Sequence, residues 1–322
     1  MPMLSRVAEN LYWMARYVER AEDTARLVNV TNHLMLDLPQ RQPLMWSAVV
    51  DITGGSEDFA NLYDQPNDRN VMQFLCADQR NPGSILSALA QARENLRTTR
   101  DVVPREVWEA TNQLYMAACT QAEAGLGQGR RELFLKEIIS GCQMMRGLVE
   151  GTLSYGTART FMVLGRQIER ADMTTRILDV RSGNLLSRSS EDMRPFEHLQ
   201  WMSVLKSLTA YQMYRQHVRL RVRATDVLTF LLQDRNLPRS VTRSLWDASK
   251  ALMSLPRHER ALAAVTQVRA DVAEADVGGL VRSPERLHDF INDLQIGLGD
   301  LHDAISRTYF TPLETVMQMP AA

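Results

Sequence analysis

Leu11-Tyr12-Trp13-Met14-Ala15-Arg16-Tyr17-Val18-Glu19-Arg20-Ala21-Glu22-Asp23-Thr24-Ala25-Arg26-Leu27-Val28-Asn29-Val30 is the stretch on which the reading of this chain turns. Wound as a helix at 100° per residue, it brings Arg16, Glu19, Arg20 and Asp23 onto one face, because side chains three, four and seven positions apart are neighbours. Tyr12 and Trp13 precede those charges on the same face and Leu27 and Val30 follow them, while Leu11, Met14, Val18, Ala21, Ala25 and Val28 cover the opposite side. A helix that is apolar nearly all round is a buried helix. Its charges are then buried too, and buried charges have to be paired.

The same constellation returns. Arg16, Glu19, Arg20, Ala21, Thr24, Arg26 and Val30 are each repeated 150 residues later, as Arg166, Glu169, Arg170, Ala171, Thr174, Arg176 and Val180, with Glu22 facing Asp172. Trp46 and Val49 match Trp201 and Val204 at a separation of 155. Val71, Phe74, Leu75, Asp78, Pro82 and Ser84 match Val227, Phe230, Leu231, Asp234, Pro238 and Ser240 at 156, as Phe134 and Gly141 match Phe290 and Gly297. A small loop insertion within the polar stretch Arg181 to Arg194 accounts for the drift. The period is far longer than that of a solenoid repeat. The expected fold is therefore all-α: an internally duplicated helical bundle with pseudo-two-fold symmetry, its first repeat residues 1–153 and its second 154–322. Packing both as one body lets the two charged helices satisfy each other. Asp23 has Met173 as its counterpart, so a site needing that carboxylate is complete in the first half alone.

Within a copy the reading is helix nearly throughout. Leu38 to Pro43 breaks the pattern, since proline removes a donor and restricts its predecessor, and a helix restarts near Leu44. Thr53-Gly54-Gly55 through Gln65-Pro66-Asn67-Asp68 reads as loop with at most a short helix. Val71 to Leu75 could pass for a strand, but only its own repeat could pair with it, so it reads as helix. Asn81-Pro82 gives a cap and a first helical position for a helix to about Arg100. Val103-Pro104 opens another. Gly125, Gly127 and Gly129 turn the chain into a helix over Arg131 to Thr152, and Ser283-Pro284-Glu285 starts the last, to about Tyr309.

With 322 residues and 45% hydrophobic content the chain can bury a sizeable core. A net charge of −1 offers no overall field for nucleic acid or an anionic membrane. Only Lys136, Lys206 and Lys250 are lysines among 37 basic residues; arginine suits bidentate carboxylate pairing. Cys76, Cys119 and Cys142 show no CxxC spacing and read as core thiols in a reducing compartment. Neither a signal-peptide core nor a membrane span is visible, so the expected location is the cytoplasm.

Two readings of the charged cluster stay open. In one, it is a buried ion network that fixes how the helices register. In the other, Arg16, Glu19, Arg20, Arg166, Glu169 and Arg170 form a binding set whose guanidinium forks take a carboxylate or phosphate, with Glu19, Arg20 and Asp23 the catalytic candidates and Glu19 the general base. His288 alone stands three residues after a glutamate, Glu285, whereas a di-iron bundle requires that spacing on two helices. His288-Asp289 and His302-Asp303 read as a solvated stripe, so no metal and no cofactor is expected. Arg215, Arg219, Arg221 and Arg223 with Tyr211 and Tyr214 read as a solvated or interface segment. P-loop, Rossmann and nucleophile-elbow motifs are absent.

Met3-Leu4-Ser5-Arg6, Asn10-Leu11-Tyr12-Trp13-Met14, Val18-Glu19-Arg20-Ala21-Glu22 and Gly165-Arg166-Gln167-Ile168-Glu169-Arg170-Ala171-Asp172-Met173-Thr174 closely resemble the bacterial alpha-E proteins, an all-helical family named for its Glu-Arg motif. The resemblance extends through Ala92-Arg93-Glu94-Asn95 and Glu106-Val107-Trp108-Glu109 to Ser306-Arg307-Thr308-Tyr309-Phe310, essentially the whole chain. It implies partnership with circularly permuted ATP-grasp ligases and transglutaminase-like proteases, in systems that make, attach or remove peptide-like groups. The motif residues it carries over are Glu19, Arg20, Glu169 and Arg170. Two functions follow as expectations: a non-catalytic helical subunit that binds such a ligase or positions its carboxylate or peptide substrate, or an enzyme acting on amide or carboxylate groups, with Glu19 as base and Arg16, Arg20 and Arg170 as anion clamps.

Overall fold

A computed structural model describes residues 3–37, 43–187, 197–218 and 221–311. In chain order the helices are α1 (Ser5–Asp37), α2 (Pro43–Ile52), α3 (Ser56–Leu62), α4 (Asp68–Met72), α5 (Ile85–Arg97), α6 (Arg105–Leu126), α7 (Arg131–Thr152), α8 (Thr157–Ser187), α9 (Glu197–Ser207), α10 (Tyr211–His217), α11 (Ala224–Gln233), α12 (Val241–Met253), α13 (Glu259–Glu274), α14 (Val277–Val281) and α15 (Pro284–Ile305). Single π turns, Gln73–Ala77 and Ser306–Phe310, extend α4 and α15. No strand occurs among the described residues; the fold is all-α.

The two longest helices, α1 and α8, lie against each other at the centre. At 1.5 Å per residue, α1 spans about 50 Å. Its apolar circumference is used: α5, α7, α2, α9 and the π turn after α15 all pack on it, while α12 and α15 pack on α8. Farther out, α6 lies on α5 and α7, and α13 on α12 and α15. One contact sets how close the central pair can come. A Cβ built on Gly165 of α8 would fall 2.1 Å from the Tyr12 carbonyl oxygen of α1, so the backbones meet where only glycine fits. Beside it, Tyr12 is fully buried, stacks on His302 and meets Phe310, pinning the last turn of α15 and the π turn after it to α1.

Several local expectations change. The stretch expected as an insertion loop from Arg181 is helical through Ser187, because its polar start is not solvated: Arg181 and Ser182 are buried, and Arg181 Nη2 donates to Thr31 Oγ1 of α1 at 2.9 Å. Residues 188–194 of that stretch, and 38–42 of the expected break, lie outside the described residues. Asn81 does not cap α5. Its amide is spent on the turn itself, donating to the Phe74 carbonyl left by the π turn and accepting from Gly83 N, so the cap passes to Ser84, whose Oγ accepts from Ser87 N. α5 then ends at Arg97. Val71 to Leu75 is helical, α4 running into its π turn. Cys76 and Cys142 are core thiols, but Cys119 is exposed.

Candidate functional site

α1 and α8 turn their charged faces toward one another, and each glutamate is taken by arginines of the other helix. Arg170 grips Glu19 with two bonds, Nε to Oε1 at 2.7 Å and Nη2 to Oε2 at 3.1 Å. Arg20 grips Glu169 likewise, Nε to Oε1 at 2.5 Å and Nη2 to Oε2 at 3.1 Å, and Arg16 Nε adds a bond of 2.6 Å to Glu169 Oε2. Glu19 and Glu169 are 2% and 1% exposed. Such bidentate, charge-assisted pairs are the strong form of the interaction, and burial makes each partner indispensable to the other.

The first cluster has a further layer. Arg239, on the turn before α12, places Nη1 on Asp23 Oδ1 and 3.1 Å from Glu19 Oε1, and Nη2 3.1 Å from Glu22 Oε1. Arg146 of α7 stands 3.8 Å from Glu19 and 3.6 Å from Glu22, and Arg26 bonds Glu22. Arg166 does not join. Its Nη1 goes to Glu150 Oε1 at 2.9 Å, and its side chain lines the small cavity beside Glu19 and Glu22 without bonding either. Of the residues singled out from the sequence, Arg16, Glu19, Arg20, Asp23, Glu169 and Arg170 thus meet at the α1–α8 seam, and Arg166 lies beside them on the cavity next to Glu19 but pairs with Glu150. Arg239 and Arg146 are members that the sequence reading passed over.

Electrostatics limits what these groups can do. Burial opposes ionisation of Glu19, but the Arg170, Arg239 and Arg146 guanidiniums outweigh it and hold the carboxyl down at about 2. Glu169 is likewise lowered by Arg20 and Arg16 against its burial. A carboxylate held that low, with both oxygens bonded, is a weak base near neutrality. Cys142, next to Glu22, Glu19 and Asp23, is kept a thiol by burial and by their negative charge. The space beside Glu19 and Glu22 is a cavity of about 40 Å³ walled by Met14, Val18, Met145 and Met162, room for little more than water. No group of three metal-ligating side chains occurs among the described residues. His288 instead pairs with Asp179, and His302 Nδ1 lies 2.9 Å from Tyr12 Oη. Arg219 of the basic segment lies outside the described residues. Among them, no helix is long and apolar enough to cross a membrane.

Comparison with known proteins gives a family and no activity. The Alpha-E family model, described as a predicted alpha-helical domain with a conserved ER motif, matches residues 3–310. Uncharacterized proteins of Mycobacterium bovis (strain ATCC BAA-935 / AF2122/97) and Mycobacterium tuberculosis (strain CDC 1551 / Oshkosh) are each 23% identical over 269 residues, covering 78% of this chain and 30% of the relative. One from M. tuberculosis strain ATCC 25618 / H37Rv is 22% identical over the same span. The chain therefore spans less than a third of the length of the curated relatives it matches. No solved structure matches it.

Proposed function

The chain belongs to the Alpha-E family, and from that premise we propose that it is a non-catalytic helical subunit of a peptide-forming or peptide-modifying system, working beside a circularly permuted ATP-grasp ligase and a transglutaminase-like protease. Its Glu-Arg motif serves as an internal ion lock that fixes the register of α1 against α8. The observation that carries this reading is the consumption of both motif carboxylates by guanidiniums of the opposite helix. The choice of partner rests on the family resemblance. In the curated relatives the matched stretch is 30% of a longer chain, which suits a helical body that acts alongside other polypeptide.

We also read the chain as two copies of one helical unit. Support comes from the residues matched at separations of 150 to 156 and from the packing order, in which α5, α6 and α7 attend α1 as α12, α13 and α15 attend α8. The enzyme reading needs Glu19 to accept a proton, and the charges around it disfavour that.

Glu19→Gln tests the lock. Losing one charge from a buried pair costs about 3–5 kcal/mol, so a lowered melting temperature is expected, together with a proportionate loss of co-purification with the ligase and of any effect on its rate. Wild-type stability with a selectively abolished activity would instead make Glu19 a chemical group.

A further inference from the structure

Between the end of α11, the turn that follows it and the neighbouring sides of α12 and α13 lies an open cavity of about 530 Å³. That volume falls within the roughly 300–1,000 Å³ of small-molecule sites. Arg235 of the turn, Arg243 of α12 and Arg269 of α13 line it, around Trp246. No carboxylate does, among the described residues. The frame is fixed from within: Gln233 Nε2 ties α11 to the end of α13 by donating to the Val272 and Ala275 carbonyls at 2.9 and 3.0 Å. Asp234, the acid next to Arg235, is spent on the turn, its Oδ1 accepting from Asn236 N and Leu237 N.

The three guanidiniums are poorly answered. Those of Arg235 and Arg269 make neither an ion pair nor a hydrogen bond among the described residues, and Arg243 gives only its Nε, to Asp247 at 3.0 Å, leaving both terminal nitrogens unbonded. Like charges around one concavity repel one another, and walls of low dielectric focus their field into the space between. Trp246, 43% exposed, has the Arg269 guanidinium 4.6 Å from its ring centroid and Lys250 Nζ at 5.3 Å. Such a contact holds a guanidinium in place and leaves its N–H groups free to donate. The helical scaffold does not require these charges. At the positions 156 earlier, the separation at which Pro82 and Ser84 match Pro238 and Ser240, stand Gln79, Ser87, Ala90 and Gln113, all neutral, and α5 packs on α6 there as α12 packs on α13 here.

We propose that this cavity binds a small polyanion bearing two or more phosphate or carboxylate groups, gripped by the guanidiniums of Arg235, Arg243 and Arg269. Each fork matches the paired oxygens of such a group. Three guanidiniums less the one Asp247 carboxylate leave a charge of two to be answered, which a monovalent anion does not supply. Trp246 is a positioning residue: its ring is engaged by cations, and it acts on the ligand through Arg269. The proposal goes beyond the ion lock and rests neither on it nor on the family resemblance.

The test is calorimetric titration of the purified chain at low ionic strength with pyrophosphate and citrate, using acetate, methylguanidine and glycerol as controls. Saturable one-to-one binding of pyrophosphate, citrate or both is expected, weakening as sodium chloride is added; the tighter of the two tells whether phosphate or carboxylate is the group preferred. Arg235→Gln and Arg269→Gln should each weaken it about tenfold, the loss of hydrogen bonds to a charged group, with little change in melting temperature because neither guanidinium is bonded within the chain. Trp246→Ala should weaken binding and Trp246→Phe restore most of it. Arg130→Gln removes an exposed arginine that is in no ion pair, on the turn before α7, and should bind like wild type. No binding at all, equal affinity for acetate, or Arg235→Gln and Arg269→Gln losing no more than Arg130→Gln would each overturn the proposal.

Discussion

Burial raises the Asp23 carboxyl, Arg239 draws it back, and Glu19 and Glu22 push it up again, leaving it at about 7. One oxygen, Oδ2, is buried without a partner, while Oδ1 takes the Arg239 guanidinium. The sign of the consequence follows from linkage. Between the unfolded value near 4 and the folded value near 7 the native state holds a proton that the unfolded state has lost, so stability falls as pH rises through that window, by up to about 1.4 kcal/mol per pH unit. Glu19 acts the other way: its folded value of about 2 gives stability that is present above about 4.5 and lost as pH falls toward 2. Melting temperatures of wild type and Asp23→Asn measured from pH 4 to 8 should therefore diverge, the wild type declining relative to the variant as pH rises. Parallel curves would mean that Asp23 is ionised throughout. The partner of Asp23 was legible in principle. A carboxylate at 23 and a guanidinium at 239 occur together on one side, and Met173 and Gly83 replace both on the other. Finding it required treating the two departures from the repeat as one contact, and nothing local to Arg239 marks it as buried.

At the scale of the helices, periodicity predicts which faces are hidden and leaves the distance between them open. That α1 is buried with its charges follows from apolar residues all round it. That α8 is the helix that answers those charges follows from the repeated motif. What the motif does not encode is where the two backbones touch, since Gly165 earns its place through the Tyr12 carbonyl 153 residues away in sequence. Helix ends were less legible for the same reason. Asn81-Pro82 has the local chemistry of a cap, but the Phe74 carbonyl claims the Asn81 amide, and a polar run from Arg181 stays helical because α1 supplies a partner. Gly165→Ala is the corresponding prediction. The new methyl meets a main-chain oxygen that no rotamer change can move, so the helices must separate and the bidentate pairs stretch. A loss of about 3 kcal/mol is expected, seen as an earlier denaturant midpoint. Gly147→Ala, whose Cβ would meet nothing within 4 Å, should be neutral or slightly stabilising. Equal midpoints for the two variants would show that the seam tolerates separation.

For the molecule as a whole, the ion pairs across the α1–α8 seam bear on how the chain can be divided. Cut between residues 153 and 154, the break falls in the connection between α7 and α8. The first piece would then carry Glu19, Glu22 and Asp23 without Arg170 and Arg239. The second would carry Glu169 without Arg16 and Arg20. Each piece uncovers the face that its long helix turns to the other piece and strands charges that are buried and paired in the intact chain. The apolar surface favours reassociation, and the unpaired charges penalise any compact state of a lone half. Fragments 1–153 and 154–322 expressed separately should therefore be unfolded or aggregated, and should recover a cooperative thermal transition and elute as a one-to-one complex when co-expressed. Arg170→Glu in one fragment should prevent recovery, and Glu19→Arg in the other should restore part of it by reversing the pair. A half that melts cooperatively on its own would show that its charges find partners within the same half, and the seam would then be an interface between two finished domains.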